Sequence, residues 1–138
     1  MTDMVQRLID VMNDSARRSR GDYHLTLGRA IEALAQSDLP VTFDFDEKSP
    51  SHPHSYRGYY SDLALESVSA PITASALRDL LSSALNQTFT GYKGGDYLMG
   101  PDTPLWAAEY GHGSGRAIVG IRNGGLYLVL VTKELQSD

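Results

Sequence analysis

The sequence predicts an α+β fold in which a small antiparallel sheet with a C-terminal hairpin packs against two to three helices. Three observations support this class. Apolar residues recur at helical spacing behind threonine caps, several short segments alternate apolar and polar residues, and an Asn-Gly turn joins two apolar runs near the C-terminus. The chain has 138 residues without internal repeat or linker. We therefore expect one α+β ligand-binding domain over residues 21–138, preceded by a helix.

Residues 1–20 predict an N-terminal amphipathic helix. Its apolar stripe consists of Met4, Val5, Leu8, Ile9 and Met12. The last turn is basic, which suits the negative end of the helix dipole. Because the stripe is narrow and precedes the main globular pattern, two interpretations stay open. The helix packs on its own domain, or it is an oligomerisation element that packs on another subunit.

Two further helices are predicted to begin at threonine N-caps. The first begins at Thr26 and ends near Ser37, because Pro40 disfavours helical backbone at the residue before it. The second begins at Thr73, carries leucines at i, i+3 and i+4 spacing, and ends at Asn86. Both helices should turn their leucines toward the core.

Strands are predicted between and after these helices. Residues 41–45 alternate apolar and polar side chains, which places Phe45 on the buried face. Prolines, serines and charges predict a loop over residues 46–54. Residues 63–66 predict a short strand, and residues 88–97 predict a strand that enters a tight glycine-rich turn.

The C-terminal hairpin has the clearest local signal. Residues 117–121 and 126–132 are apolar β-type runs, and the residues between them predict a turn. The pair Asn123 and Gly124 is typical of a type I′ turn, in which Gly124 takes a positive φ.

Charge and composition exclude several classes of protein. With 12 Lys+Arg against 17 Asp+Glu, the net charge of −5 argues against a nucleic-acid polymer as partner, because such binding neutralises many phosphates. The absence of cysteine excludes a disulfide scaffold and a thiol nucleophile. Apolar runs are too short to span a bilayer, and Asp3 and Arg7 stand where a signal peptide is apolar. We expect a soluble intracellular protein without membrane contact.

Residues 55–60 place three tyrosines around one arginine. Tyr56 and Tyr60 offer rings that stack on a planar base, and the forked donors of Arg57 suit a phosphate. The alternative is an edge strand whose tyrosine rings cover the core, with Arg57 in a surface ion pair with Asp62. Both interpretations stay open.

Two glycine-rich segments carry further candidates. Lys93 beside Gly94 and Gly95 brings a cation and bare backbone N–H groups to an anion, although the spacing is not that of a P-loop. The alternative is a bulged hairpin turn. Residues 109–116 contain histidine, serine and Arg116 but no strand-to-helix nucleophile elbow. A serine hydrolase is therefore disfavoured, and the alternative is a flexible hairpin loop in which Arg116 anchors the strand or faces a ligand.

No constellation compels an enzyme. Acid–base catalysis calls for paired carboxylates in a cleft, whereas Asp44, Asp46 and Asp62 occupy loop-like or alternating positions that usually face water. His52 and His54 are separated by a proline and lack a carboxylate at ligand spacing. We therefore expect no catalysis, no cofactor and no metal. The residue set fits binding an anionic aromatic molecule better than transforming it.

Four strings of the sequence resemble small bacteriophage proteins. They are HSYRGYYSDLAL at 54–65, TFTGYKGGDY at 88–97, TPLWA at 103–107 and GRAIVG at 115–120. The family that they resemble is the first class of Thoeris anti-defence proteins, phage sponges that sequester cyclic ADP-ribose signals. The resemblance covers roughly residues 26–132, so the helix over residues 1–20 lies outside it.

This resemblance implies a non-enzymatic protein that assembles as oligomers up to hexamers. It also implies pockets, shared between subunits, for glycocyclic ADP-ribose isomers, and in some members separate sites for cyclic di- or trinucleotides. At matching positions it implies ligand contacts by Arg57, Phe89 and Arg116. The chemistry of the residues alone adds Tyr56, Tyr60, Lys93 and Arg122.

The sequence thus predicts a phage immune-evasion sponge that binds and sequesters cyclic nucleotide immune signals without cleaving them. Its expected place is the cytoplasm of the infected bacterial host, and its expected state is a homo-oligomer, from dimer to hexamer. The alternative is a phage protein-binding inhibitor of a host defence protein, because tyrosine and arginine dominate interface hot spots. A nucleotide-processing enzyme is the third hypothesis.

Overall fold

The computed structural model describes residues 24–45, 48–56, 61–91, 93–108 and 116–133. Within them the chain forms an α+β fold, as predicted, with two helices, a seven-stranded sheet and a separate two-stranded sheet. The predicted helix over residues 1–20 lies outside the described residues.

Both helices begin at the predicted threonine N-caps. Helix α1 spans Leu27–Leu34, and the Thr26 hydroxyl accepts a hydrogen bond from the Arg29 N–H. Helix α2 spans Ala74–Ala84, and the Thr73 hydroxyl accepts a hydrogen bond from the Ala76 N–H. Both end slightly earlier than predicted, and the backbone of Asn86 has already turned to a φ of 65°. Neither helix in this described part of the chain has the length and apolar character that crossing a membrane demands.

The strands, in chain order, are β1 (Pro40–Phe43), β2 (Ser49–Ser55), β3 (Leu63–Val68), β4 (Ile72–Thr73), β5 (Thr88–Thr90), β6 (Asp96–Leu98), β7 (Leu105–Ala107), β8 (Arg116–Asn123) and β9 (Leu128–Lys133). The large sheet has the order β2-β3-β7-β8-β9-β1-β4, and the hairpin β5-β6 forms the small sheet. Among the described strands, the first therefore lies beside the last.

The large sheet is mixed, which differs from the small antiparallel sheet that the sequence predicts. Strands β1 and β9 run parallel, with Val41 opposite Leu128, and β3 and β7 run parallel, with Leu63 opposite Leu105. Parallel neighbours need a long crossover instead of a tight turn. Helix α2 and the small hairpin lie within the crossover from β3 to β7. Local sequence patterns carry no signal for such pairings.

The predicted loop over residues 46–54 is wrong for its later part. Residues Ser49–Ser55 form β2, which pairs antiparallel with β3 and has an irregular register between Pro50 and Pro53. Two prolines suggested a loop because proline cannot donate to a sheet ladder. An edge strand tolerates them, and β2 is the edge of the large sheet.

The C-terminal hairpin is present, but its turn differs from the predicted one. Strand β8 extends to Asn123 and β9 begins only at Leu128, so four residues connect them. The positive φ of 92° belongs to Gly125, and Gly124 is not among the positive-φ residues. Instead, the Gly124 N–H donates to the Tyr127 carbonyl at 2.8 Å, and the Asn123 side chain accepts from the Gly125 N–H at 2.8 Å. These two hydrogen bonds hold a four-residue loop in place of the predicted type I′ turn.

Apolar residues form separate clusters on the two faces of the large sheet. The main core packs the strands against both helices and includes Leu27, Leu34, Phe43, Leu63, Leu65, Leu77, Leu81, Leu105, Ile118 and Leu130. As predicted, Phe45 packs against this core, although β1 ends before it. The opposite face carries a second cluster of Tyr56, Ala64, Trp106, Ala108 and Ala117. The separation follows from the alternation of side chains along each strand.

Candidate functional site

Arg116 opens strand β8, and side chains from neighbouring parts of the fold hold it. Its Nε donates to the Thr132 hydroxyl at 2.9 Å, and its guanidinium carbon lies 5.2 Å from the centroid of the Phe45 ring. The Thr132 hydroxyl donates in turn to Asp44 Oδ1 at 2.6 Å, and the Thr132 backbone N–H donates to Asp44 Oδ2 at 3.0 Å. We refer to Asp44, Phe45, Arg116 and Thr132 as the Arg116 cluster.

The pairing of the first and last strands creates the Arg116 cluster. Asp44 and Phe45 follow β1 directly, and the Asp44 N–H continues the ladder by donating to the Leu130 carbonyl at 3.2 Å. Thr132 lies two residues further along β9. The antiparallel pairing of β8 with β9 then brings Arg116 to the same end of the sheet. Residues 88 positions apart in the chain thereby share a hydrogen bond.

The Arg116 cluster holds a cation over an aromatic ring, and Thr132 links that cation to the Asp44 carboxylate. The Thr132 hydroxyl accepts one hydrogen bond and donates one, so its orientation is defined. The Arg116 side chain is half-buried, and Thr132 is buried. A planar guanidinium presents donors that match phosphate oxygens. It lies over the ring of Phe45, which also packs against Phe43 with ring centroids 5.2 Å apart. This arrangement can recognise an anionic group.

Tyr56 lies in the second cluster and not on an open surface. Its ring stacks on Trp106 with centroids 4.3 Å apart and an interplanar angle of 11°, and the residue is only 5% exposed. For Tyr56, this placement agrees with the alternative interpretation in which the tyrosine rings cover the core. Tyr56 therefore serves in the packing of this sheet face.

Asp62 is fully buried, contrary to the expectation that it faces water. One of its carboxyl oxygens accepts from Trp106 Nε1 at 2.9 Å, and its carbonyl accepts from the Tyr56 N–H at 2.9 Å. Its place before β3 predicts a loop position, but the packing of Trp106 encloses the carboxyl group. The alternative prediction of an ion pair between Asp62 and Arg57 involves a residue outside the described ones.

His24 completes the surroundings of Trp106. The two rings meet edge to face with centroids 4.5 Å apart, and His24 Nδ1 lies 3.2 Å from the Leu105 carbonyl oxygen. Because a carbonyl only accepts, this contact fits the tautomer with the proton on Nδ1. Sequence reasoning missed His24, and its position before the Thr26 cap offered no signal of burial.

Two more residues that the sequence predicts to contact the ligand, Phe89 and Lys93, belong to the small hairpin. Phe89 lies on β5 opposite Tyr97, is half-buried and packs against the main core. Lys93 is exposed in the turn, where Gly94 and Gly95 have φ values of 94° and 83°. The predicted tight turn is therefore present. Its position within a hairpin agrees with the alternative interpretation of this segment.

Arg122 lies far from Arg116 on the same strand. Six residues at about 3.3 Å each place their Cα atoms about 20 Å apart. Arg122 is exposed, and its neighbour Ile121 packs against the main core, so Arg122 belongs to the opposite face of the sheet. One small ligand cannot contact both side chains within a single chain. Arg57 and Tyr60, the remaining predicted contacts, lie outside the described residues.

The two histidines of β2 belong to separate polar pairs. His52 Nδ1 lies 2.9 Å from the Ser51 hydroxyl, and His54 Nε2 lies 3.8 Å from Glu66 Oε1, beyond hydrogen-bond distance. Over the described ranges, no group of three or more His, Asp or Glu side chains has an arrangement that could hold a metal ion.

Comparisons of the chain with protein-family models, curated protein sequences and solved structures find no match.

Proposed function

We propose that the protein binds and sequesters an anionic cyclic nucleotide signal without cleaving it, and that the Arg116 cluster is part of the binding site. The observation that carries this proposal is the guanidinium of Arg116, which Thr132 holds beside the ring of Phe45. A cyclic nucleotide carries phosphates, and the N–H donors of a guanidinium match phosphate oxygens.

Sequestration depends on slow release and low dissociation constants. A cation that is already held in place costs less entropy when it binds than one that must be ordered. The hydrogen bond from Arg116 to Thr132 supports such preorganisation.

The resemblance of residues 54–65 and 115–120 to phage sponges supports the finer part of the proposal. The ligands are then glycocyclic ADP-ribose isomers, with cyclic di- or trinucleotides as further candidates. The protein would act as a homo-oligomer, from dimer to hexamer, in the cytoplasm of the infected bacterial host. If Arg116 and Arg122 both contact one ligand, the two arginines come from different chains, because they lie about 20 Å apart on one strand.

The proposal is tested by retention and release. Purified protein is incubated with cyclic ADP-ribose isomers and cyclic di- and trinucleotides, filtered, heated, and the released material is analysed. We expect unchanged ligand to appear only after heating. Arg116→Ala should lower retention at least tenfold, while Arg29→Ala, which removes an exposed arginine of helix α1, should retain the ligand like the wild type. Retention of none of these compounds refutes the proposal, and release of an altered compound indicates an enzyme.

One observation favours the second candidate, an inhibitor that binds a host defence protein. Leu126 and Tyr127 at the tip of the C-terminal hairpin are 78% and 49% exposed. Tyrosine is frequent in interface hot spots. If a host protein co-purifies with the wild type and with Arg116→Ala but not with a Leu126→Ser/Tyr127→Ser variant, this second function is favoured.

A further inference from the structure

We infer that Thr132 and Asp44 are positioning residues that fix the direction of the Arg116 guanidinium for binding a phosphate-bearing ligand. This inference rests on the proposed function. Its evidence is the continuous chain of contacts from Asp44 through the Thr132 hydroxyl to Arg116 Nε. Local sequence patterns do not indicate a role for Thr132, and they indicate Asp44 only as a candidate acid or base.

Two of the contacts of Arg116 restrain the orientation of its guanidinium. The bond from Nε to the Thr132 hydroxyl fixes one edge of the planar group, and the Phe45 ring lies against it at 5.2 Å. Because the guanidinium is rigid and planar, these two restraints also define where its terminal nitrogens lie. A long flexible side chain is thereby reduced to a narrow range of orientations.

Asp44 acts through Thr132. A hydroxyl rotates freely unless its proton has a partner, and Asp44 Oδ1 at 2.6 Å provides that partner. The donated proton leaves the lone pairs of the hydroxyl for Arg116 Nε. The second carboxyl oxygen accepts from the Thr132 backbone N–H at 3.0 Å, which holds the Asp44 side chain in place. Asp44 therefore selects the hydroxyl orientation that accepts from arginine.

Substitutions at Thr132 separate positioning from packing. Thr132→Val keeps the side-chain shape, the strand preference and the backbone bond to Asp44 but removes the hydroxyl. Thr132→Ser keeps the hydroxyl and loses a methyl group. If Thr132 only fills space, serine is the more disruptive change, because it removes a buried methyl group. If Thr132 positions Arg116, valine is the more disruptive change, because it removes the hydroxyl that accepts from Arg116 Nε.

Two readouts test the inference on the full chain. The first is the dissociation constant for cyclic ADP-ribose and for cyclic di-adenosine monophosphate. The second is hydrogen exchange of the Arg116 Nε–H, followed by NMR without ligand. Thr132→Val and Asp44→Asn should weaken binding of the retained probe by about three- to tenfold, the range expected for ordering one long side chain. They should also accelerate the Nε–H exchange. Thr132→Ser should leave the dissociation constant and the exchange rate close to those of the wild type.

Thr42→Val is the matched control, because the Thr42 hydroxyl donates to the Lys48 carbonyl at 3.0 Å, and Arg116 is not its partner. It should change neither readout. Unchanged binding in Thr132→Val, or binding equally weak in Thr132→Ser, overturns the inference while the proposed function stands. If the wild type binds neither probe nor any compound of the retention panel, the proposed function and this inference fall together.

Discussion

Replacing Trp106 by phenylalanine removes a single hydrogen-bond donor from the buried face opposite the helices. Trp106 is 1% exposed, its Nε1 donates to Asp62 at 2.9 Å, and its ring lies between Tyr56 and His24. Phenylalanine retains a six-membered ring at this position but has no N–H. The carboxyl group of Asp62 then loses this donor without gaining contact with water.

The expected destabilisation has two parts. A buried acceptor that loses its donor costs about 1–3 kcal/mol. The smaller ring adds about 1 kcal/mol, a fraction of the 3–5 kcal/mol typical of removing a whole aromatic side chain. The free energy of unfolding should therefore fall by about 2–4 kcal/mol. For a chain of 138 residues, with an unfolding entropy of about 2.1 cal/mol/K per residue, this lowers the thermal midpoint by about 7–14 °C.

Urea unfolding followed by far-ultraviolet circular dichroism measures the change, since Trp106 is the one tryptophan of the chain and its fluorescence is lost. A double-mutant cycle with Asp62→Ala, which removes both carboxyl oxygens, should show a coupling of at least about 1 kcal/mol between the two side chains. The control cycle pairs Trp106→Phe with Leu77→Ala, which lies in the main core on the other sheet face, and should be additive. A loss below about 0.5 kcal/mol, or no coupling to Asp62, would refute the role given to this hydrogen bond.

Three other changes have distinct expected outcomes. Gly125→Ala should destabilise by about 1 kcal/mol in urea unfolding because Gly125 has a φ of 92°, whereas Gly120→Ala, whose Cβ meets open space, should be tolerated; equal losses would contradict this. Arg57→Ala should abolish retention of cyclic nucleotides without lowering the thermal midpoint, and unchanged affinity would remove Arg57 from the site. Deleting residues 1–20 should lower the number of chains per assembly, measured as the molecular mass in light scattering divided by the mass of the shortened chain. An unaltered number of chains would show that this segment is not the assembly element.

Local signals in the sequence predict the helices well. The hydroxyls of Thr26 and Thr73 cap α1 and α2 because a cap involves only residues close in the chain. The helix ends are less predictable, since they depend on distant partners. The Asn86 N–H, for example, donates to the Met99 carbonyl at 2.8 Å, a contact that brings the chain into the small hairpin instead of continuing α2.

The candidate site is less predictable because it depends on contacts between distant residues. The sequence identifies Arg116 as a candidate, but the bond from Thr132 to Asp44 requires β1 to pair with β9. No turn signal joins those strands. The prediction that Asp62 faces water is wrong for a similar reason, since the burial of Asp62 depends on Trp106, 44 positions later. Sequence reasoning assigned these side chains from local context, whereas tertiary pairing determines their partners.

Strand β2 limits how far the sheet can grow. A strand that approached this edge would need backbone donors, and Pro50 and Pro53 have none to offer. The irregular register between them also interrupts the even spacing that an added strand would follow. Prolines that misled the prediction of secondary structure thus act as a terminator of sheet extension. If copies of this chain assemble, side-chain surfaces are better suited than this edge to join them.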